Sequence, residues 1–474
     1  MNIVQTLWTG NRDLISETFG WCDSQTHLFS WVLSCLTLLK YKKNLVLYTD
    51  SNCAKIFIDK LHLPYTDVRI CYDKLKCPLE HWAYPKMLTY AKQTEPFIHV
   101  DGDLYFFNGF TEYLQKAPLI AQNEEIGTLY YKNMMDNILH TNPILPYYLI
   151  TELNKTHIGS YNAGILGGND IDFIQLYCEE AFKVIKNNGF DLLFCENRNV
   201  NNNLLYEQVL FYALVKEKSK QVSCIVDRIV NDNGYTYDEF CNIYKYESLN
   251  LLHILGGYKR NKIIARQIEK MVLQLYPEYY LRVLSLFPQK NKRFNKLELQ
   301  TFYNIQDYIN EYFRWLYKNL VNWEKISQEE LLDIEQRIGG YIRFINLPLE
   351  EQDECLLEVH PYLNIFYVPQ EWPNEVKEII LYIVTKNMDR NYVKNIVCLP
   401  CLKENGFKNI VIDDISCNII NFIQNNSNVS ILKIKIFLCK LLKISSESKK
   451  NFFNKVDNII KYLMSKGLLY VYIN

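Results

Sequence analysis

Short apolar runs rich in Val, Ile and Tyr recur through the first half of this chain, at 3–7, 45–48, 68–71, 97–100, 119–121 and 163–166. Between them lie longer segments, such as 23–39, 86–93 and 170–186, whose apolar residues repeat at helical spacing. Apolar runs too short for helices, alternating with segments long enough for them, predict an α/β fold. The expected architecture is a mostly parallel mixed sheet with helices on both faces, ending near Leu255.

The chain has 474 residues, more than the roughly 250–300 that one hydrophobic core serves, so further domains are expected after that sheet. From 263 to 347 the pattern turns helical, notably over 299–320 and 328–342, with Tyr308, Tyr312, Trp315 and Tyr317 spaced for one packed helix face. Pro369, Trp372 and Pro373 mark a boundary. The expected domains are therefore 1–265, a helical middle region 266–380, and a small C-terminal unit 385–474. Nearly half the residues are apolar and the net charge is -1, which speaks against disorder and against a global attraction to nucleic acid or anionic membrane.

The longest apolar stretch, 29–39, is broken by Ser30, Ser34 and Thr37 and falls short of the roughly 20 residues of a spanning helix, so a buried helix without stable membrane insertion is expected. The chain opens on the strand-like run 2–7 with no export signal, and its 14 cysteines follow no disulfide spacing. Reduced thiols in a cytoplasmic protein are the expectation. The single pair Cys398 and Cys401 reads as buried thiols.

The C-terminal unit reads as strands at 396–399 and 409–412, helices at 416–423, 431–442 and 447–465, a stop at Gly467 and a closing strand 468–473. Asn428 or Ser430 is the expected cap of the second helix and Ser445 or Ser446 of the third. Small strands around three helices describe a winged-helix-like domain. Residues 427–474 hold nine Lys against one Glu and one Asp, and no Arg.

The chemistry is concentrated where the strand-like 97–100 runs into Asp101, Gly102 and Asp103. Open α/β sheets place ligands at strand ends. Two carboxylates two residues apart on extended backbone are hard oxygen ligands suited to Mg²⁺ or Mn²⁺ holding a diphosphate, and Gly102 lets the backbone bend close. A second pattern, His253-x-x-Gly256-x-x-Lys259, lies downstream. Together the two resemble the retaining GT-A glycosyltransferases of the glycogenin and lipopolysaccharide galactosyltransferase type, although Arg260 stands where that family usually has proline.

The resemblance implies a GT-A fold and a UDP-sugar donor. It makes Asp101, Asp103 and His253 the metal ligands and gives Lys259 the leaving diphosphate. It also implies that Lys86 touches donor sugar and phosphate, that Asn162, Ala163 and Gly164 lie against the sugar, and that Thr6, Trp8 and Asp50 stand near uracil and ribose. Glu207 and Gln208 match the catalytic pair that faces the acceptor.

The C-terminal unit resembles the leader-peptide recognition domains of ribosomal peptide maturation, which bind an added strand beside a helix. The first reading is thus a glycosyltransferase moving a hexose to a ribosomally made precursor peptide. The second is an enzyme of cell-surface glycan or lipooligosaccharide assembly. The third is a non-catalytic peptide- or nucleic-acid-binding protein on a degenerate sugar-transferase fold. Nucleic acid is the least favoured partner because Arg, the usual reader of guanine, is missing from the basic segment; a homo-oligomer stays open.

Overall fold

The computed structural model describes residues 1–40, 44–108, 111–127, 129–140, 142–192, 203–231, 235, 250–287, 299–323, 325–385, 395–401 and 406–472. They form two compact units, Met1–Leu297 and Glu298–Asn474.

The strands of the first unit are β1 (Asn2–Leu7), β2 (Leu45–Thr49), β3 (Asp67–Ile70), β4 (Phe97–Val100), β5 (Leu104–Phe106), β6 (Leu119–Ala121), β7 (Glu124–Ile126), β8 (Gly159–Tyr161), β9 (Ile165–Gly168), β10 (Val222–Cys224), β11 (Val230–Asn231) and β12 (Leu251–His253). Seven make one mixed sheet in the order β10-β6-β9-β4-β1-β2-β3. β1 is parallel to β2 and β4, β2 to β3, and β6 to β10, whereas β9 lies antiparallel between β4 and β6. The expected parallel-rich α/β sheet is present. β11-β7-β8 form a small second sheet, and β12 pairs with β5 as a ribbon.

Helix α1 (Ser24–Leu39) links β1 to β2, its start fixed by Asp23, which accepts the Thr26 amide at 2.7 Å. It is buried around nearly its whole circumference, because α5 (Lys262–Leu275) and α6 (Pro277–Ser285) pack on it, Phe29 stacking on Tyr280 at 5.3 Å. Its hydroxyls are used internally. Ser34 accepts from the Gln5 amide at 2.9 Å and Thr37 donates to the Leu33 carbonyl at 2.8 Å. Among the described residues no helix is long and apolar enough to cross a membrane.

Further helices of this unit include α2 (Ser51–Ala54), α3 (Tyr84–Ala91) and α4 (Ile171–Leu192). The strand expected at 163–166 is displaced to Ile165–Gly168. The residues before it are drawn into a turn, where Asn162 donates its amide to the Asn123 carbonyl at 2.9 Å and Gly164 accepts the Asp101 amide at 2.9 Å.

The second unit contains β13 (Leu356–Val359), β14 (Asn364–Tyr367), β15 (Asn395–Cys401), β16 (Gly406–Ile412), β17 (Val429–Ser430) and β18 (Leu469–Tyr472), in antiparallel sheets β17-β13-β18 and β14-β15-β16. Its main helices are α7 (Leu299–Trp323), α8 (Asn374–Thr385), α9 (Asp414–Gln424), α10 (Ile431–Leu441) and α11 (Lys449–Ser465). The α7 aromatics pack as expected, Tyr312 and Trp315 lying 5.4 and 5.2 Å from Phe366; the Tyr317 side chain is outside the described residues. Trp372 is buried against Phe366.

Ser430 caps α10, its hydroxyl accepting the Lys433 amide at 3.3 Å. Neither Ser445 nor Ser446 caps the third helix, which starts two residues later than expected, at Lys449, with Ser448 at the N-cap. Gly467, at φ +72°, ends it. The closing strand runs over Leu469–Tyr472, and Ile473 lies outside the described residues.

Candidate metal centre

β1, β2, β3 and β4 run parallel, so their carboxyl ends share one edge of the sheet. Past Val100 the chain turns back into β5, and the Leu104 amide donates to the Asp101 carbonyl at 3.2 Å. Packing alone demands glycine at 102: a Cβ there would lie 2.3 Å from the Trp31 indole on α1. The Ser30 hydroxyl holds the same turn, donating to the Gly102 carbonyl at 2.8 Å.

His253 comes in from β12, opposite Leu104 of β5. One ligand atom each from Asp101, Asp103 and His253 lies within 4.8 Å of the others. His253 Nδ1 is 2.6 Å from Gln122 Oε1, and His253 Nε2 is 3.4 Å from Asp103 Oδ1. With Gln122 Oε1 accepting, Nδ1 carries a proton and Nε2 is the ring atom turned toward Asp103. The donor set of two carboxylates and one imidazole suits Mn²⁺ or Mg²⁺.

Each carboxylate is also held by a lysine. Lys86 Nζ lies 2.8 Å from Asp101 Oδ1, 2.5 Å from Glu207 Oε1 and 3.2 Å from the Ala163 carbonyl oxygen. Burial disfavours its charge, but Asp101 and Glu207 together raise its pKa above the ordinary lysine value. Burial raises the Glu207 carboxyl, with Lys86 opposing. Asp101 is raised as well, by burial first and by neighbouring Asp103, again against Lys86. Asp103 goes the other way: burial works against its charge, yet Lys259, in direct ion-pair contact, and His253 hold it well below the usual carboxylate range. Beside this cluster His99, 3.1 Å from the Thr6 hydroxyl and 3.7 Å from Asp101 Oδ1, is kept neutral by burial and by Lys86.

The remaining expected residues are placed unevenly. Trp8 and Asp50 line a cavity of ≈ 430 Å³ with Asn11 and Tyr72, at the ends of β1 and β2. Asp50 is already engaged, accepting the Thr9 amide at 2.5 Å, the Thr9 hydroxyl at 2.8 Å and the Cys53 amide at the start of α2 at 2.9 Å. Thr6 points inward and donates to Thr89 at 2.8 Å. Asn162 braces the site, its side chain accepting the Gly164 amide at 3.0 Å and donating to Glu125 at 3.0 Å. Glu207 is fully buried, on a π-helical turn with Gln208, so it faces Lys86 and not an open surface. Gln208 Oε1 lies 2.5 Å from the Tyr131 hydroxyl. Gly256, at φ +45°, opens the 3-10 turn Gly256–Arg260 that carries Lys259.

Sequence reasoning missed Gln122, Glu125, Tyr131, Trp31 and His99. The strand-end rule that found Asp101 also marks Gln122, directly after β6; nothing local in the sequence marks Tyr131 or Trp31.

Residues 1–286 match a family of unknown function, DUF6734. The chain belongs to DUF6734. The DUF6734 region contains every residue of the site described above. No curated protein matches the chain. Among solved structures it is similar to mouse xyloside xylosyltransferase 1 in its apo form, at 10% identity and a TM-score of 0.28, covering 53% of this chain and 96% of that one.

Proposed function

We propose that this DUF6734 protein is a metal-dependent glycosyltransferase that takes a hexose from a UDP-sugar. The observation that carries the reading is the convergence of Asp101, Asp103 and His253 within 4.8 Å, at the same sheet edge as the Trp8 and Asp50 cavity. A diphosphate donor needs both parts, a divalent centre for its phosphates and a nearby recess for its nucleoside.

Asp101, Asp103 and His253 hold Mn²⁺ or Mg²⁺, which when bound offsets the charge that develops on the departing UDP. Lys86 fixes Asp101, and Glu207 positions Lys86 from behind, so Glu207 acts through the lysine instead of meeting the acceptor. Lys259 receives the diphosphate as the bond from the anomeric carbon to the phosphate oxygen breaks. The acceptor hydroxyl oxygen forms the new bond to that carbon as its proton passes to the departing phosphate oxygen. Retention of anomeric configuration belongs to the same reading.

For the acceptor we favour a ribosomally made peptide, bound by the second unit in a cytoplasmic setting. What supports this is the set of three helices α9, α10 and α11 in the same unit as the sheet β17-β13-β18. β18 is an outer strand of that sheet, with Tyr472 exposed, where a peptide could add as a further strand. The excess of Lys over acidic residues there suits an acidic leader.

The test is UDP release from a panel of UDP-sugars with Mn²⁺, for the intact chain, Asp103→Asn and His253→Ala. Mn²⁺-dependent release that both substitutions abolish is expected. The absence of release, together with no binding of UDP or Mn²⁺ in calorimetry, overturns the reading.

A further inference from the structure

The two lysines at the metal centre are held differently. Lys86 is enclosed, its side chain 7% exposed, and shared between Asp101, Glu207 and the Ala163 carbonyl. Lys259 has a side chain 26% exposed and reaches Asp103 from a turn at the rim of the site. Its backbone is anchored, the carbonyl accepting the Cys22 amide at 3.0 Å. A Cβ added at Gly256 or Gly257 beside it would meet nothing within 4 Å. Rotation of the Lys259 side chain therefore moves its charge without disturbing the turn.

Lys259 and the cation compete for the same group. The lysine contacts Asp103 Oδ2 while His253 Nε2 faces Asp103 Oδ1. A divalent ion placed among the three ligands meets an ammonium already neutralising one of its two carboxylates, and like charges at that range repel. A diphosphate brought to the ion removes the conflict, because it offers the ammonium another anionic partner.

We infer that Lys259 is an exchangeable counter-ion, which holds Asp103 until a diphosphate draws it away, so that metal and nucleotide each bind weakly alone and tightly together. This rests on the proposed donor chemistry and adds to it the order of events: the bare site resists metal, and Mn²⁺ enters effectively with the nucleotide. Lys86, locked by three partners, stays with Asp101 throughout.

The inference makes a prediction of unusual sign, since loss of a binding-site residue tightens a ligand. Mn²⁺ is titrated calorimetrically, without nucleotide, into the wild type, Lys259→Met, Lys259→Gln and Lys259→Arg, with thermal melting to verify folding. The two neutral variants are expected to bind Mn²⁺ at least about five-fold more tightly than the wild type, the lower end of ordinary site-to-site coupling, and Lys259→Arg to match the wild type. Adding UDP raises the Mn²⁺ affinity of the wild type, and that gain shrinks in Lys259→Met. Equal or weaker Mn²⁺ binding by both neutral variants overturns the exchange. If it fails while wild-type Mn²⁺ binding is still lost in Asp103→Asn, the metal centre stands and the counter-ion role alone is wrong. If the wild type binds no Mn²⁺ with or without UDP, both readings fall.

Discussion

A Cβ atom on Gly164 would stand 2.4 Å from His253 Cε1 and 2.6 Å from Gln122 Oε1. The imidazole thus occupies space that any side chain at 164 would claim. Gly164→Ala is expected to push His253 off the centre and weaken Mn²⁺ binding. Gln122→Leu, which removes the partner of His253 Nδ1, is expected to weaken it by about 10–100-fold, as outer partners of metal ligands commonly do. Calorimetric Mn²⁺ titration beside a melting curve checks both.

Lys86 is the counter-ion of the buried Glu207 among the described residues, and it braces Asp101. Lys86→Met should cost about 3–5 kcal/mol in urea unfolding, the usual loss when one partner of a buried pair is removed. The sign of its pH dependence follows from the carboxyls left behind. Asp101 and Glu207 already have raised pKa values from burial, and without Lys86 they rise further. The folded state then binds more protons than the unfolded one above pH of about 4, so stability falls as pH increases through that window. The deficit of Lys86→Met should be smaller at pH 5 than at pH 8.

Gly167 and Gly257 give a paired contrast in the sheet and at its rim. A Cβ on Gly167 would lie 2.2 Å from the Phe97 carbonyl oxygen and 2.9 Å from Ile98 Cα, both fixed backbone of β4, whereas a Cβ on Gly257 meets nothing within 4 Å. Gly167→Ala is expected to destabilise by about 3 kcal/mol or more, and Gly257→Ala to leave the melting temperature nearly unchanged. Similar melting of the two variants would contradict the β4–β9 register.

His27, which accepts the Trp31 indole N–H on Nε2 at 2.9 Å, is lowered to about 3 by burial first, then by Lys259 and Arg12. The unfolded chain takes up that proton near 6.5 while the folded chain refuses it, so stability is complete above about pH 6.5 and declines as pH falls toward 3. His27→Phe should flatten this part of the profile relative to the wild type, measured as melting temperature between pH 7 and 4.5.

Much of the frame was legible because local patterns decide it. Short apolar runs rich in β-branched and aromatic residues read as strands, and β1, β2, β4 and β6 stand within a residue or so of their expected places. Asp101 and Asp103 were visible because a strand running into two carboxylates is a short-range signal. The caps show the limit of such reading: Ser430 holds its helix, while Ser445 and Ser446 lose to a start at Lys449, since capping depends on where the preceding loop leaves the chain.

The sequence by itself determined the alternation of strands and helices and put two carboxylates at a strand end, because both are written in spacing along the backbone. The tertiary structure alone decided which charges meet. Lys86 between Asp101 and Glu207, Lys259 on Asp103, and Gln122 behind His253 join segments far apart in the chain, and their energies depend on burial and on distances of a few ångströms. Those quantities exist only once the sheet order has brought β4, β6 and β9 side by side and the β5–β12 ribbon has set His253 against them.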